Sequence, residues 1–265
     1  MRHRPRSAVA TFALVTLGGL LVVAISGRAD RSGVAPDAGA AWLPSAPQPA
    51  LRIGRPEPLP PARFLSRWTV VRRPTIARVE ADRRGKAVAR LGRETPEGTA
   101  NVVTVLEATI DREGHTWVKV RLPVLPNRTV GWVQRRALGA YQAVRTHLVV
   151  DRAALTAVLY RNGEPIFNAA VGVGTATWPT PRGVFAVRSK LTRYRSPFYG
   201  PLAFGTTARS AVLTDWPAGG FVGIHGTNEP ELIPGYVSHG CIRMRNEDIL
   251  RLGRLLPVGT PLTIL

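Results

Sequence analysis

From Arg67 onward the chain is a succession of short runs of β-branched and aromatic residues, each closed by a turn signal. Trp68-Thr69-Val70-Val71, Ala87-Val88-Ala89, Asn101-Val102-Val103-Thr104-Val105-Leu106, Trp117-Val118-Lys119-Val120 and Val130-Gly131-Trp132-Val133 are the first of them. Side chains of this kind suit a pleated, half-buried surface. Asp111-Arg112-Glu113-Gly114 and Pro126-Asn127-Arg128 supply the turns between them. Two further strands are predicted over Arg145–Val150 and Leu155–Tyr160, with a return strand over Pro165–Val173. Asn162-Gly163 joins the last two, and Asn-Gly is the strongest short hairpin signal. One stretch has helical spacing: Ile249, Leu250, Leu252, Leu255 and Leu256. Asn246 is placed to cap its start, and Pro257 and Gly259 stop it. Pro261–Leu265 reads as a terminal strand. The expected fold class is therefore mostly β, with one or two short helices.

The first 66 residues do not share this pattern. Arg2, Arg4 and Arg6 precede an apolar stretch from Ala8 to Ile25, and the next charge is Arg28. A basic cluster before such a run is a targeting segment, and the run is about long enough to span a bilayer. Residues 1–26 are read as a signal or a membrane anchor, with the bulk of the chain outside the cytoplasm. Residues 27–66 carry Pro36, Pro44, Pro47, Pro49, Pro56, Pro58, Pro60 and Pro61. This composition gives an extended linker rather than a core.

The 265 residues carry a formal net charge of +19, with 36 basic residues of which only Lys86, Lys119 and Lys190 are lysine. The arginines are scattered, with no basic run on a reading helix, so nucleic acid is not an expected partner. An anionic wall or membrane surface fits the charge better.

Chemistry concentrates between Phe221 and Arg245. This segment holds the single cysteine, Cys241, and two of the five histidines, His225 and His239. One thiol makes no internal disulfide. A cysteine nucleophile needs a base and backbone donors for the oxyanion. Ser238-His239-Gly240-Cys241 offers consecutive N–H groups beside the sulfur, and Gly240 permits an unusual dihedral. His225 follows the apolar run Phe221-Val222-Gly223-Ile224, which places it at a strand end. On residue types alone, a lone cysteine is equally a small buried hydrophobe.

The words His225-Gly226 and Ser238-His239-Gly240-Cys241-Ile242-Arg243 resemble the signature of the L,D-transpeptidases of the YkuD family. The resemblance covers roughly residues 144–265, and Thr180-Pro181-Arg182-Gly183-Val184-Phe185 is similar to a further family segment. Trp178 departs from it, standing where a small residue is common. The resemblance implies a YkuD-type β-sandwich catalytic domain over residues 142–265. It implies Cys241 as nucleophile and His225 as base, which takes the thiol proton or holds the thiolate as an ion pair. The carbonyl of Gly226 would orient the ring. His239, Gly240 and Ser238 would supply or support the oxyanion hole, and Arg243 and Thr180 would bind substrate. No metal or cofactor is implied. The implied partners are peptidoglycan stem peptides, a donor tetrapeptide and a diaminopimelate-type acceptor amine, outside the cytoplasm in the envelope. The resemblance also implies acylation of Cys241 by β-lactams of the carbapenem type.

Trp117-Val118-Lys119-Val120-Arg121-Leu122-Pro123, then Pro126-Asn127, then Gly131-Trp132-Val133 resemble bacterial SH3-like barrels of cell-wall proteins. Residues 67–138 are therefore expected to form a small SH3-like β-barrel with Trp117 and Trp132 in its core. It would serve either as a wall-binding module or as a spacer. Three other functions stay open at this level. Water as acceptor would make the site an L,D-carboxypeptidase. His225, His239 and Cys241 could ligate zinc in a hydrolase. A non-catalytic wall-binding protein is the third.

Overall fold

The computed structural model describes residues 65–192, 196–213 and 220–265. The segment read as a signal or anchor, and nearly all of the linker, lie outside these residues. Among the described residues, no helix is long and apolar enough to cross a membrane. The protein is mostly β, as its run pattern predicts. The strands fall into two sheets within one compact unit.

The first sheet contains β1 (Ser66–Val70), β2 (Thr75–Arg78), β3 (Ala87–Leu91), β4 (Val102–Ile110), β5 (Thr116–Arg121), β6 (Val130–Gln134) and β7 (Gln142–Val144). Its order is β3-β2-β6-β5-β4-β1-β7, and every pairing is antiparallel. Val103, Val118, Val120, Leu122 and Val133 form its core. Trp117 is buried, as expected, and its indole N–H donates to Asp111 at 2.7 Å. Trp132 is only half-buried and lies under Lys119 Nζ, 5.6 Å from the ring centroid. Residues 139–144 had no strand signature beyond their small and apolar residues. Even so, Gln142–Val144 is the seventh strand of this sheet, because β1 has an open edge beside it.

The second sheet contains β8 (Thr146–Asp151), β9 (Thr156–Arg161), β10 (Glu164–Ala170), β11 (Gly172–Gly174), β12 (Gly183–Leu191), β13 (Ala203–Arg209), β14 (Phe221–His225), β15 (Gly235–Ser238), β16 (Ile242–Arg243) and β17 (Pro261–Ile264). Its order is β10-β9-β8-β17-β12-β13-β14-β16-β11-β15. Asn162 and Gly163 both have positive φ, 53° and 91°, which is the geometry a two-residue Asn-Gly hairpin needs. Leu148, Leu159, Phe204, Ile224, Ile242 and Leu262 are fully buried in one core. Burial of each such side chain stabilises the fold by about 1.5–3 kcal/mol.

The helix α1 (Asn246–Leu255) packs Ile249 and Leu252 into the same core. Its cap differs from the expected one. Arg245 holds the cap position without a side-chain bond, and Asn246 is the first helical residue. The Asn246 side chain instead accepts the Thr227 N–H at 2.9 Å, which ties the helix start to the chain just past His225. β13 (Ala203–Arg209), which the run pattern did not predict, lies in the middle of the second sheet. Phe204 on that strand is fully buried.

Candidate active site

Two strands bring the halves of the motif together. β14 ends at His225, and β16 begins one residue after Cys241. They run parallel, with Ile224 opposite Ile242 and His225 opposite Arg243. Side chains alternate along a strand, so Phe221, Gly223 and His225 share one face of β14. Gly223 is the opening in that face. A β-carbon there would stand 3.8 Å from His225 Cδ2 and 3.9 Å from Cys241 Sγ. Ring and sulfur are therefore neighbours across bare backbone. The Gly223 N–H also points at the sulfur, at 3.4 Å.

His225 is 3% exposed. Its Nδ1 lies 2.6 Å from the carbonyl oxygen of Gly226. A carbonyl only accepts, so Nδ1 carries the proton and Nε2 is left bare. Gly226 has to be glycine. A β-carbon there would collide with Asn246 Oδ1 and press on Pro201 and Gly200. Tyr199 covers the ring edge-on, with centroids 4.6 Å apart. Burial holds the imidazole well below its ordinary range, down to about 4. The Gly226 carbonyl opposes this, and the positive charge of Arg243 adds to it. Burial likewise pushes the Cys241 thiol up, against the Gly223 N–H and Arg243. At neutral pH the pair is thus thiol and imidazole, not thiolate and imidazolium.

The Ser238–Cys241 turn is held from two sides. Ser238, 2% exposed, donates its hydroxyl to Cys241 O at 2.6 Å and accepts the Gly240 N–H at 3.0 Å. Gly240 has φ 110°, a conformation a larger residue would occupy only with strain. With its N–H committed to Ser238, Gly240 is a shaping residue. His239 and Cys241 flank it in the turn. The His239 ring is exposed and stacks on Trp178, centroids 4.2 Å apart.

Thr180 was expected to touch substrate, and the structure places it elsewhere. It is 1% exposed. Its hydroxyl donates to Gly240 O at 2.9 Å and accepts the Gly174 N–H at 2.8 Å. Both capacities are used in pinning the turn from behind. Thr180→Val keeps the shape and leaves both backbone groups unpaired, each worth about 1–3 kcal/mol when buried. The urea midpoint of this variant should fall with an unchanged slope. An unchanged midpoint would show that the brace carries no energy.

A cleft of about 380 Å³ opens over these groups. His225, Ser238, His239, Cys241 and Arg243 reach it, with Phe221 as a wall. Arg243 pairs through Nη1 with Glu229 Oε2 at 2.9 Å, while its buried Nε has no hydrogen-bond partner. His225, Ser238, His239, Cys241 and Arg243 of the expected site residues thus line one cleft, with Thr180, Gly226 and Gly240 behind it. Among the described residues, His225, His239 and Cys241 do not form a ligand cluster. The one group of three metal-competent side chains there is Asp111, Glu113 and His115 on the first sheet.

Residues 145–264 match the YkuD family, the L,D-transpeptidase catalytic domain. The match begins just before β8 and ends with β17, so it coincides with the second sheet. Two Bacillus subtilis proteins that carry L,D-transpeptidase names are similar to it. YkuD is 36% identical over 118 residues, 44% of this chain and 65% of its own length. YqjB is 33% identical over 121 residues, 42% of this chain and 64% of its own. The chain thus spans just under two thirds of these relatives. Among solved structures, the catalytic domain of an Enterococcus faecium L,D-transpeptidase is 26% identical. That alignment covers 45% of this chain and 96% of the domain, with a TM-score of 0.34.

Four residues around the cleft escaped sequence reasoning. Gly223 was readable as the gap in an apolar run. Tyr199 was one of several aromatics in a stretch with no period. Glu229 and Asn246 gave no sign of their partners, which come from other elements.

Proposed function

We propose that this protein is a peptidoglycan L,D-transpeptidase that works through a cysteine acyl-enzyme. The observation that carries this reading is the pairing across Gly223. Cys241 Sγ and His225 lie on either side of it, with His225 Nδ1 fixed on the Gly226 carbonyl. Nε2 of His225 takes the thiol proton as Cys241 attacks the donor carbonyl before the terminal D-Ala. The N–H groups of His239 and Cys241 hold the oxyanion. Collapse breaks the peptide bond, and the ring returns its proton to the leaving D-Ala amine. A thioester on Cys241 remains. A diaminopimelate-type side-chain amine then attacks it, His225 accepts that proton, and the thiol is regenerated. Arg243, which lines the cleft and pairs with Glu229, would receive a peptide carbonyl or carboxylate. Burial of the thiol and of the ring keeps the ground state neutral, so charge develops only during attack. The reading places the enzyme outside the cytoplasm, secreted or held by residues 1–26. The first sheet is its SH3-like companion.

Mass measurement of the full chain mixed with a tetrapeptide donor tests the proposal. The expected adduct is the donor minus D-Ala, on Cys241 alone, and a carbapenem should label the same residue. Adding a tripeptide acceptor should give a cross-linked dimer. Free tripeptide alone would make the enzyme an L,D-carboxypeptidase, and no adduct with either probe would sink the cysteine mechanism.

A further inference from the structure

The wall of the cleft is tied to the other sheet. Thr95-Pro96-Glu97-Gly98 is a tight turn at the tip of a hairpin closed by the Glu94–Ala100 bridge. The Gly98 N–H returns to Thr95 O at 2.9 Å, and Gly98 has φ 72°. Glu97 is thereby held out from the first sheet. Its carboxylate pairs with Arg188 on β12, whose side chain is 2% exposed. A guanidinium so buried needs compensation. Glu97 supplies the charge, but Arg188 Nε and Glu97 Oε2 are left without hydrogen-bond partners. The remaining compensation is a ring: the Arg188 guanidinium sits 3.7 Å from the centroid of Phe221.

A second tie converges on the same ring. Asn127, between β5 and β6, donates from Nδ2 to Arg209 O at 2.8 Å and accepts the Arg209 N–H at 3.1 Å. Arg209 is the register partner of Phe221, and its guanidinium lies 4.9 Å from the ring centroid. Phe221 opens β14, the strand that ends in His225, and it lines the cleft with Cys241.

We infer that Glu97 and Asn127 of the first sheet are positioning residues for the cleft, acting through Arg188 and Arg209 on the Phe221 wall. On this view the first sheet is part of the binding apparatus and not a detached spacer. Neither residue touches the reacting atoms. Their effect falls on how a bulky peptide is received, not on the thiol–imidazole chemistry. The peptide readout rests on the function proposed above.

The test uses the full chain with Glu97→Gln, Phe221→Leu and the double variant. Glu97→Gln should raise KM for the tetrapeptide donor by about fivefold to tenfold, with kcat within about twofold. In the Phe221→Leu background the same change should add almost nothing, because the path through the ring is already cut. A second readout needs no peptide turnover. Cys241 labelling by a bulky aromatic maleimide should change severalfold in Glu97→Gln, while labelling by iodoacetamide and its pH profile stay as in the wild type. If the wild type turns over no stem peptide, the proposed activity fails and the labelling ratio still decides the coupling. Additive effects, or an unchanged labelling ratio, would overturn the inference. Should Glu97→Gln fail to fold, as thermal melting would reveal, Asn127→Ser carries the same comparison from the second tie.

Discussion

Cys241→Ala should yield no acyl-enzyme with any donor, and its fold should survive. Among the described residues the sulfur accepts one weak hydrogen bond, from the Gly223 N–H at 3.4 Å, and the residue is half-buried. Its loss should cost only about 1 kcal/mol of stability. The loss of activity, in contrast, should be complete, because no other cysteine exists in the chain. Cys241→Ser should be nearly as inactive. A hydroxyl is a far weaker acid than a thiol, and the desolvation that already pushes the thiol up would weigh on an alkoxide too. Intact-mass measurement after donor addition, beside a melting curve, checks both variants. Turnover by the alanine protein would show that the chemistry lies elsewhere.

The parts of the fold legible in the sequence were those fixed by local chemistry. Asn162-Gly163 specifies its own turn, so the β9–β10 hairpin stands where it was expected. The alternation Phe221-Val222-Gly223-Ile224 marked β14 and put His225 at its end. β13 was hidden because its residues, Ala203-Phe204-Gly205-Thr206-Thr207, are small or buried on both faces and give no alternation. β16 is two residues long and exists only through its neighbours β14 and β11. Asn246 had the right residue type for a cap, yet a tertiary partner, the Thr227 N–H, claimed its side chain. Thr180 shows the same limit at the site. Its position in a motif-like segment suggested contact with substrate, but only the fold shows that Gly174 and Gly240 use both hydroxyl capacities. The Glu97–Arg188 pair spans 91 residues and could not have been paired from spacing at all.

His225→Ala should slow acylation at pH 7 by about 10²–10⁴-fold, the usual contribution of a positioned base. The pH profile identifies the mechanism. In the wild type the imidazole takes up its proton only near 4, well below the ordinary 6.5. Acylation should therefore hold level from neutrality to about pH 5 and fail below. The same depression has a stability consequence with a definite sign. Below pH 6.5 the unfolded chain binds a proton on this ring that the folded chain refuses until about 4. Stability is then full above 6.5 and falls as the pH drops, by up to about 3 kcal/mol near pH 4. His225→Gln should remove that loss. In His225→Ala the thiolate arises only by direct ionisation of a thiol whose pKa burial has raised. Its rate should climb about tenfold per pH unit and partly recover in alkali. His239 is exposed, packs on Trp178 and belongs to the turn that carries Cys241. His239→Ala should lose activity through a distorted turn, with no alkaline recovery. Single-turnover acylation from pH 5 to 10 separates the two variants. Alkaline recovery in the His239 variant, with none in the His225 variant, would exchange their roles.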